Sequence, residues 1–221
     1  MRQAGARNVQ ILPNGADFDA FARGPALAQP ADLAAIPRPR ILYAGKINRK
    51  VDLPLLVDLA RAHPDWQFIL IGARNNDLGE DLADAWETAH RLSNVHLLGH
   101  RHHSEVPAYM GHVEVNTMLY RTGPGLWTEG GYPLKLHEYL ATGRPVVGTA
   151  LPSVEAFSHV VATAASGDRA QWSARLDEAV ADRGRGSPAE RRRVAAANTW
   201  AQRTQTLDDY LACLVQCAPC P

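Results

Sequence analysis

The sequence predicts an α/β protein: a Rossmann-like, doubly wound parallel sheet with helices on both faces, extended by a C-terminal helix. Three observations carry this. From about residue 40, short apolar runs rich in β-branched residues alternate with amphipathic stretches at helical spacing. The helical stretches are long enough to serve as crossovers between parallel strands, which reads as repeated βαβ units covered on both faces. With 221 residues, 46% of them hydrophobic, the chain can bury a sizeable core.

The elements follow in order. Strands are expected at Arg40–Ala44, Gln67–Ile71, Val95–Leu98, Val113–Thr117, Val146–Gly148 and Val160–Thr163. Helices are expected between them, at about 53–63, 79–92, 104–111, 133–142 and 168–183. Right-handed crossovers favour a doubly wound order. Residues 1–39, with Pro13-Asn14-Gly15 and the proline-rich stretch from Pro25 to Pro39, read as a linker with one turn. The sheet domain takes 40–183, and Arg183-Gly184-Arg185-Gly186 marks a break. A helical extension over 187–217 opens on Ser187-Pro188-Ala189-Glu190, a capping box with proline at the first helical position. Its Trp200, Leu207, Tyr210, Leu211 and Leu214 form an apolar stripe that needs a cover.

Composition excludes several classes. The 23 basic and 23 acidic residues balance and are scattered, so nothing points to nucleic acid. No apolar run approaches the roughly 20 residues of a membrane span, and no apolar segment of signal-peptide type follows Met1-Arg2-Gln3. Cys213, Cys217 and Cys220 crowd the C-terminus, unlike a disulfide framework. Their Cys-x3-Cys-x2-Cys spacing matches the cluster signature of radical S-adenosylmethionine enzymes, but those carry it early in the chain; an exposed tail without function is the expectation. His100-Arg101-His102-His103 invites a zinc reading, yet no carboxylate or cysteine stands at ligand spacing. The segment reads as a strand-to-helix loop with Ser104 as helix N-cap, and no metal site is expected. Gly123, Gly125, Gly130 and Gly131 do not form a dinucleotide-binding Gly-x-Gly-x-x-Gly after the first strand.

The most informative stretch runs from Gly130 to Gly148. Gly130-Gly131 lead into a helix with Pro133 in its first turn, Gly143 stands at its C′ position, and Pro145 leads into a buried strand. A helix N-terminus behind a glycine loop suits phosphate. Lys135 and Glu138 lie three apart and share one helix face, while Leu136, Tyr139 and Leu140 can face the core. A lysine near a diphosphate and a carboxylate reaching ribose hydroxyls one turn deeper would make a nucleotide site. The alternative is a surface helix with a weak Lys135–Glu138 salt bridge worth about 0.2–1 kcal/mol.

This stretch, Pro133-Leu134-Lys135-Leu136-His137-Glu138-Tyr139-Leu140-Ala141-Thr142-Gly143-Arg144-Pro145-Val146-Val147, resembles the signature of glycosyltransferase family 4, the large retaining group 1 family with the GT-B fold. Asn14-Gly15-Ala16-Asp17-Phe18 resembles the turn that enters the family's C-terminal domain. Tyr43-Ala44-Gly45-Lys46 resembles its first strand and phosphate loop, Asn94-Val95-His96-Leu97-Leu98-Gly99 its third strand, and Trp200 with Arg203 its closing helix. The resemblance covers roughly residues 8–215 and implies half of a GT-B fold, the half that binds a nucleoside-diphosphate sugar.

By that resemblance Glu138 would hold the ribose hydroxyls, and Lys46, with Lys50 nearby, would face the donor diphosphate beside Gly45. Gly130, Gly131, Pro133, Leu134 and Lys135 would form the loop and helix start around it, and His100 and Arg101 would flank the base through backbone groups. Lys46 and Glu138 are the catalytic candidates, and no metal or other cofactor is implied. One departure stands out: Gly130 occupies the position of the family's first glutamate, and Glu129 is its neighbour. Arg121 and Trp127 could shape the sugar pocket. The resemblance implies cytoplasmic work on polysaccharide or lipid-linked acceptors, with room for peripheral association at the inner membrane.

A GT-B acceptor domain takes on the order of 150–200 residues, and about 39 precede the first expected strand. The expectation is therefore a donor half without its N-terminal acceptor domain, inactive by itself: an excised or truncated domain, one subunit of a split transferase, or a non-catalytic sugar-nucleotide-binding module. A sugar-nucleotide epimerase half shares the architecture and stays open. An exposed apolar patch is expected on the C-terminal helix.

Overall fold

The computed structural model describes residues 9–75, 78–126, 128 and 130–216. Among these the elements run α1 (Phe18–Ala22), a 3-10 turn (Gly24–Ala26), α2 (Ala31–Ala34), β1 (Arg40–Ala44), α3 (Leu53–Ala62), β2 (Gln67–Ile71), α4 (Glu80–Arg91) and β3 (Val95–Gly99). There follow α5 (Val106–Gly111), β4 (Val115–Met118), α6 (Lys135–Ala141), β5 (Val146–Thr149), α7 (Pro152–Glu155), β6 (Ala162–Ala164), α8 (Arg169–Val180), α9 (Pro188–Ala196) and α10 (Trp200–Gln216). The six strands form one sheet in the order β3-β2-β1-β4-β5-β6, and every pairing is parallel. This is the doubly wound arrangement the alternating pattern predicts.

The strands are apolar on both sides because both sides are covered. All five residues of β1 and all four of β4 and of β5 are buried. Helices α3, α4 and α8 pack together on one face; α1, α5, α6 and α9 cover the other. Buried polar residues tie layers together: Asn94 donates from Nδ2 to the carbonyls of Ala60, His63 and Trp66 at 3.0–3.1 Å, and Thr117 Oγ1 donates to the Leu42 carbonyl at 2.9 Å. Such fully satisfied groups can be buried at little net cost.

Chain order runs β1, β2, β3 outward to one edge and then returns past β1 to β4. The direction of winding reverses between β1 and β4, so the crossovers from these neighbours depart to opposite faces and leave a crevice at their carboxyl ends. Two glycines line its floor. At Gly45, just after β1, φ is +142°, and at Gly72, just after β2, it is +143°. A Cβ on Gly72 would lie 2.1 Å from the Gly45 carbonyl oxygen, so the two strand ends can approach only without side chains.

Several expectations need correction. The segment before β1 is not a linker. Its residues 18–36 form helices that bury Phe21 and Leu33 in the core, because the prolines cap turns rather than keeping the chain extended. The C-terminal helix is divided: the capping box at Ser187 is present, but α9 ends at Ala196 and α10 begins at Trp200. In the break, Ala16 pairs with Thr199, Ala16 N donates to Asn198 O at 3.0 Å, and Trp200 N donates to Ala16 O at 3.3 Å. Backbone groups released by the break are satisfied by the incoming N-terminal segment. The helix after His100-Arg101-His102-His103 starts at Val106, with Glu105 at N-cap and Pro107 in its first turn; the Ser104 hydroxyl instead bonds the His102 ring at 2.8 Å. Helix α6 starts at Lys135, two residues after Pro133, which closes a turn by accepting Leu136 N–H at 3.2 Å. Gly143 lies at φ +76° beyond the end of that helix, as its sequence position predicts. The short α7 went unforeseen, since four residues are too few to show a period.

Helix α9 is locked to the sheet domain by Arg191, 1% exposed. Its guanidinium donates to the carbonyls of Arg185 (2.9 Å), Gly143 (3.0 Å) and Gly186 (2.8 Å). Arg191→Ala leaves three carbonyls without this donor and is expected to lower unfolding free energy by about 3 kcal/mol in urea denaturation. Arg191→Lys should recover only part of that, because a point ammonium cannot span the three acceptors.

Candidate nucleotide site at the strand crossover

The crevice opens into a cavity of about 670 Å³. Its walls come from the carboxyl ends of β1 (Ala44, Gly45, Lys46), β2 (Ile71, Gly72, Ala73) and β3 (His100, Arg101), from Lys50 and Tyr120, and from Pro133, Leu134, Lys135 and Glu138 at the start of α6. Residues separated by as many as 124 positions, from Asn14 to Glu138, thus meet in one place. Gly130 and Gly131 do not join them. They line a smaller adjoining cavity of about 340 Å³ with Ile11, Leu12, Pro152 and Ser153, and Asn14 and Tyr132 border both spaces. Asn14 Nδ2 donates to the Tyr132 carbonyl at 2.8 Å, and Ser153 Oγ donates to Gly131 O at 2.6 Å, which holds the loop in position. Arg121 lies outside the lining of either cavity, and its N–H donates to Lys50 O at 2.8 Å. Trp127 and Glu129 lie outside the described residues, as do Cys217 and Cys220; Cys213 is exposed.

Lys135 is the most unusual group here. The residue is 8% exposed, and its Nζ has no hydrogen-bond partner. Nζ sits 3.8 Å from the centre of the Tyr43 ring and 5.6 Å from that of Tyr120. A Cβ on Gly45 would come within 2.4 Å of it. Burial, with the nearby Lys50 adding to it and Glu138 opposing, pulls the Lys135 pKa well below 10.5. The surface-helix alternative therefore fails: Lys135 is neither solvated nor hydrogen-bonded to Glu138. Glu138 lies one turn further, half-buried, and burial pushes its carboxyl up to about 7 against the pull of Lys135. Lys50 is half-buried and lowered first by burial and then by Lys46, which is itself exposed at the rim. Three amines and one raised carboxyl thus line a single cavity. It can accept an anion with several oxygens, and its carboxylate can accept hydroxyl donors.

Other sequence candidates have structural partners. Arg101 ion-pairs with Asp32 at 2.6 Å, and its Nε donates to Tyr109 Oη at 2.9 Å. Although burial raises the Asp32 carboxyl, the bonds from Arg101 and Tyr109 leave it below its ordinary value. The Arg101 side chain thus fastens α2 and α5 to the β3 end. His100 lines the cavity, while His102 and Ser104 bond each other. Among the described residues no three His, Cys, Asp or Glu side chains gather as a metal-binding set, and no helix is long and apolar enough to cross a membrane. Sequence reasoning passed over Tyr43, Tyr120 and Tyr132. Tyr132 Oη lies 2.6 Å from His137 Nε2, and burial, helped by Arg203, brings His137 down to about 4, so its ring is neutral near pH 7. Only the hydrophobic character of these tyrosines is visible locally.

Two linkage effects of opposite sign follow. The depressed Lys135 favours the folded state least at low pH, and its contribution recovers as pH rises towards 10.5; Lys135→Met, which removes a buried amine without a partner, should stabilise the fold by about 1–3 kcal/mol near pH 7. Glu138 is raised, so its contribution is full below its ordinary 4.5 and is lost as pH rises through about 7. Glu138→Gln should remove this loss, measured as a smaller difference between urea unfolding free energies at about pH 5 and about pH 7.5.

A protein of Bacillus subtilis strain 168, named as a teichuronic acid biosynthesis glycosyltransferase, TuaH, is 32% identical over 152 residues, 68% of this chain and 36% of that relative. The chain thus corresponds to about a third of the length of that protein. Among solved structures, Anabaena Alr3699/HepE in complex with UDP-glucose superposes with a TM-score of 0.73 at 15% identity, covering 96% of this chain and 60% of that one. Trehalose-6-phosphate synthase of E. coli bound with UDP-2-fluoro glucose gives 0.71 at 16% identity, covering 91% and 51%. These two likenesses show the fold, half of the GT-B architecture. The model of the family described as glycosyl transferases group 1 matches residues 38–182, and the chain belongs to that family.

Proposed function

We propose that this domain binds the nucleoside-diphosphate sugar of a retaining, metal-independent glycosyl transfer. The observation that carries the reading is the juxtaposition, in one cavity at the strand crossover, of an unpartnered Lys135 ammonium and the Glu138 carboxyl one helical turn away. Lys46, Lys50 and Lys135 would face the diphosphate, and Glu138 would accept the ribose hydroxyls. His100 and the β3 end would border the base. Arg101 would serve by holding that loop, since its guanidinium is committed to Asp32.

In such a reaction the leaving group is the nucleoside diphosphate, whose negative charge grows as the bond to the anomeric carbon breaks. Amines already in place around it stabilise that charge without reorganising at the moment of reaction. Helix α6 has only seven residues. The phosphate therefore depends on the lysine side chains more than on the positive end of the helix.

The donor sugar would extend from the main cavity into the adjoining one past Asn14 and Tyr132, where Gly130 stands in place of a carboxylate. A Cβ at Gly130 would meet nothing within 4 Å. The acceptor would be a polysaccharide, a lipid-linked sugar or a small molecule, held by a second domain or subunit. The exposed Trp200, Leu207 and Leu211 of α10, at 49%, 43% and 49%, support such a contact, since a bare stripe of this kind favours burial. Peripheral membrane association would come chiefly through that second part, and turnover would require it.

Calorimetric titration of the chain with UDP, GDP and dTDP tests the reading. One nucleotide should bind saturably, and Glu138→Ala should weaken it by about 1–3 kcal/mol through lost hydroxyl contacts. A folded chain that binds none of the three would overturn the proposal.

A further inference from the structure

Tyr43 belongs to none of the roles above, yet its ring meets the amine of Lys135 and its hydroxyl the backbone of Lys46. It is 1% exposed, at the fourth position of β1. Its ring face lies 3.8 Å from Lys135 Nζ, and its hydroxyl donates to the Lys46 carbonyl at 3.2 Å. Edge-on to it, with centroids 6.4 Å apart at 87°, stands Tyr120. The Tyr120 ring lies 5.7 Å from Lys50 Nζ and 5.6 Å from Lys135 Nζ. All three cation–ring distances are within the roughly 6 Å over which a ring quadrupole attracts a cation.

We propose that Tyr43 is a positioning residue for a diphosphate: its ring carries the Lys135 ammonium, its hydroxyl holds the Lys46 loop, and with Tyr120 it keeps three amines assembled for two linked phosphates. The proposal rests on the donor reading and adds how the phosphate seat is built. Without a bound anion, the buried ammonium has no hydrogen-bond partner, and the ring faces, with Glu138 one turn away, stand in for its lost hydration. Without the Tyr43 hydroxyl, the Lys46 carbonyl loses its side-chain tie, and the loop that presents Lys46 is less defined. The seat would then favour a ligand bearing two joined phosphates over a single one, because the former brings more negative charge and more acceptor oxygens for three amines to share. The charged groups facing Lys135 are Lys50, which lowers its pKa further, and Glu138, which raises it.

The test titrates the full chain with inorganic pyrophosphate, orthophosphate and UDP, for the unaltered protein and for Tyr43→Phe, Tyr43→Leu, Lys135→Met and the Tyr43→Leu/Lys135→Met double variant. Pyrophosphate should bind more tightly than orthophosphate. Tyr43→Leu should weaken pyrophosphate about tenfold, or about 1.4 kcal/mol, while Tyr43→Phe, which keeps the ring, should recover most of that. The alkaline limb of pyrophosphate affinity should move to lower pH in Tyr43→Leu and stay in place in Tyr43→Phe, because only the former removes the ring that stabilises the ammonium. In the Lys135→Met background Tyr43→Leu should cost clearly less than it does alone.

Equal pyrophosphate binding by the unaltered protein and Tyr43→Leu overturns the inference, as does an equal loss with and without Lys135. Should Tyr43→Leu not fold, Lys135→Met alone decides: it fills the same slot without charge, and retention of the pyrophosphate preference overturns the inference. Pyrophosphate bound without UDP, GDP or dTDP would remove the donor reading and leave the seat. UDP bound equally by folded Tyr43→Leu and the unaltered protein would leave the donor reading and remove the seat. Binding of neither overturns both.

Discussion

In a parallel sheet each strand must start from the same end, so the chain crosses a face of the sheet after every strand, almost always with a right-handed turn. When the order reverses, as it does between β1 and β4, the two neighbouring strands send their chains to opposite faces. No helix can then close the gap above their carboxyl ends. The cavity of this protein is a consequence of that constraint, and so is the loop chemistry around it. Gly45 and Gly72 let the strand ends approach, and Tyr43, Lys46 and Lys50 are brought to the gap by the strand that borders it. The amino end of α6 arrives from the other side with Lys135 and Glu138.

Folding alone gives little reason to bury a lysine whose amine has no hydrogen-bond partner, or a carboxyl raised to about 7. Elsewhere in the interior many polar groups are well engaged: Arg191 serves three carbonyls, Asn94 another three, and Thr149 Oγ1 meets Met118 O, Tyr120 O and Tyr120 N, while Asn116 Oδ1 and His137 Nδ1 are buried without a hydrogen-bond partner. Of these three unpartnered atoms among the described residues, Lys135 Nζ is the one whose residue lines the crossover cavity. A buried amine without a partner beside a cavity is a local inconsistency of the kind that ligand sites carry. The aromatic rings under Lys135 are what make that inconsistency tolerable in the absence of an anion.

The chain's two ends also depend on each other. Residues 14–16 fill the break between α9 and α10, Arg203 reaches Asn198 across it, and Asn14 continues into the cavity wall through Tyr132. The N-terminal segment is thus tied by Asn14 to the loop carrying Tyr132, and Tyr132 Oη in turn meets His137 in α6.

By itself the sequence determined the sheet, most strand positions to within a residue or two, the capping box at Ser187, the glycine stop at Gly143, and the helix that carries Lys135 and Glu138 on one face. Those features are written in local patterns: periodicity, caps, and glycine or proline at the ends of elements. The packed helices of residues 18–36, the break before Trp200, the engagement of Arg101 by Asp32 and the ring beneath Lys135 were decided only in three dimensions. Each depends on a partner distant in the chain, whether Tyr43 for Lys135 or Ala16 for Thr199. A spacing rule sees a residue's neighbours along the chain, whereas burial and hydrogen bonding follow from neighbours in space. Lys135 shows the difference most clearly: its helix position followed from sequence, but whether it met water, Glu138 or an aromatic ring depended on where the sheet placed Tyr43.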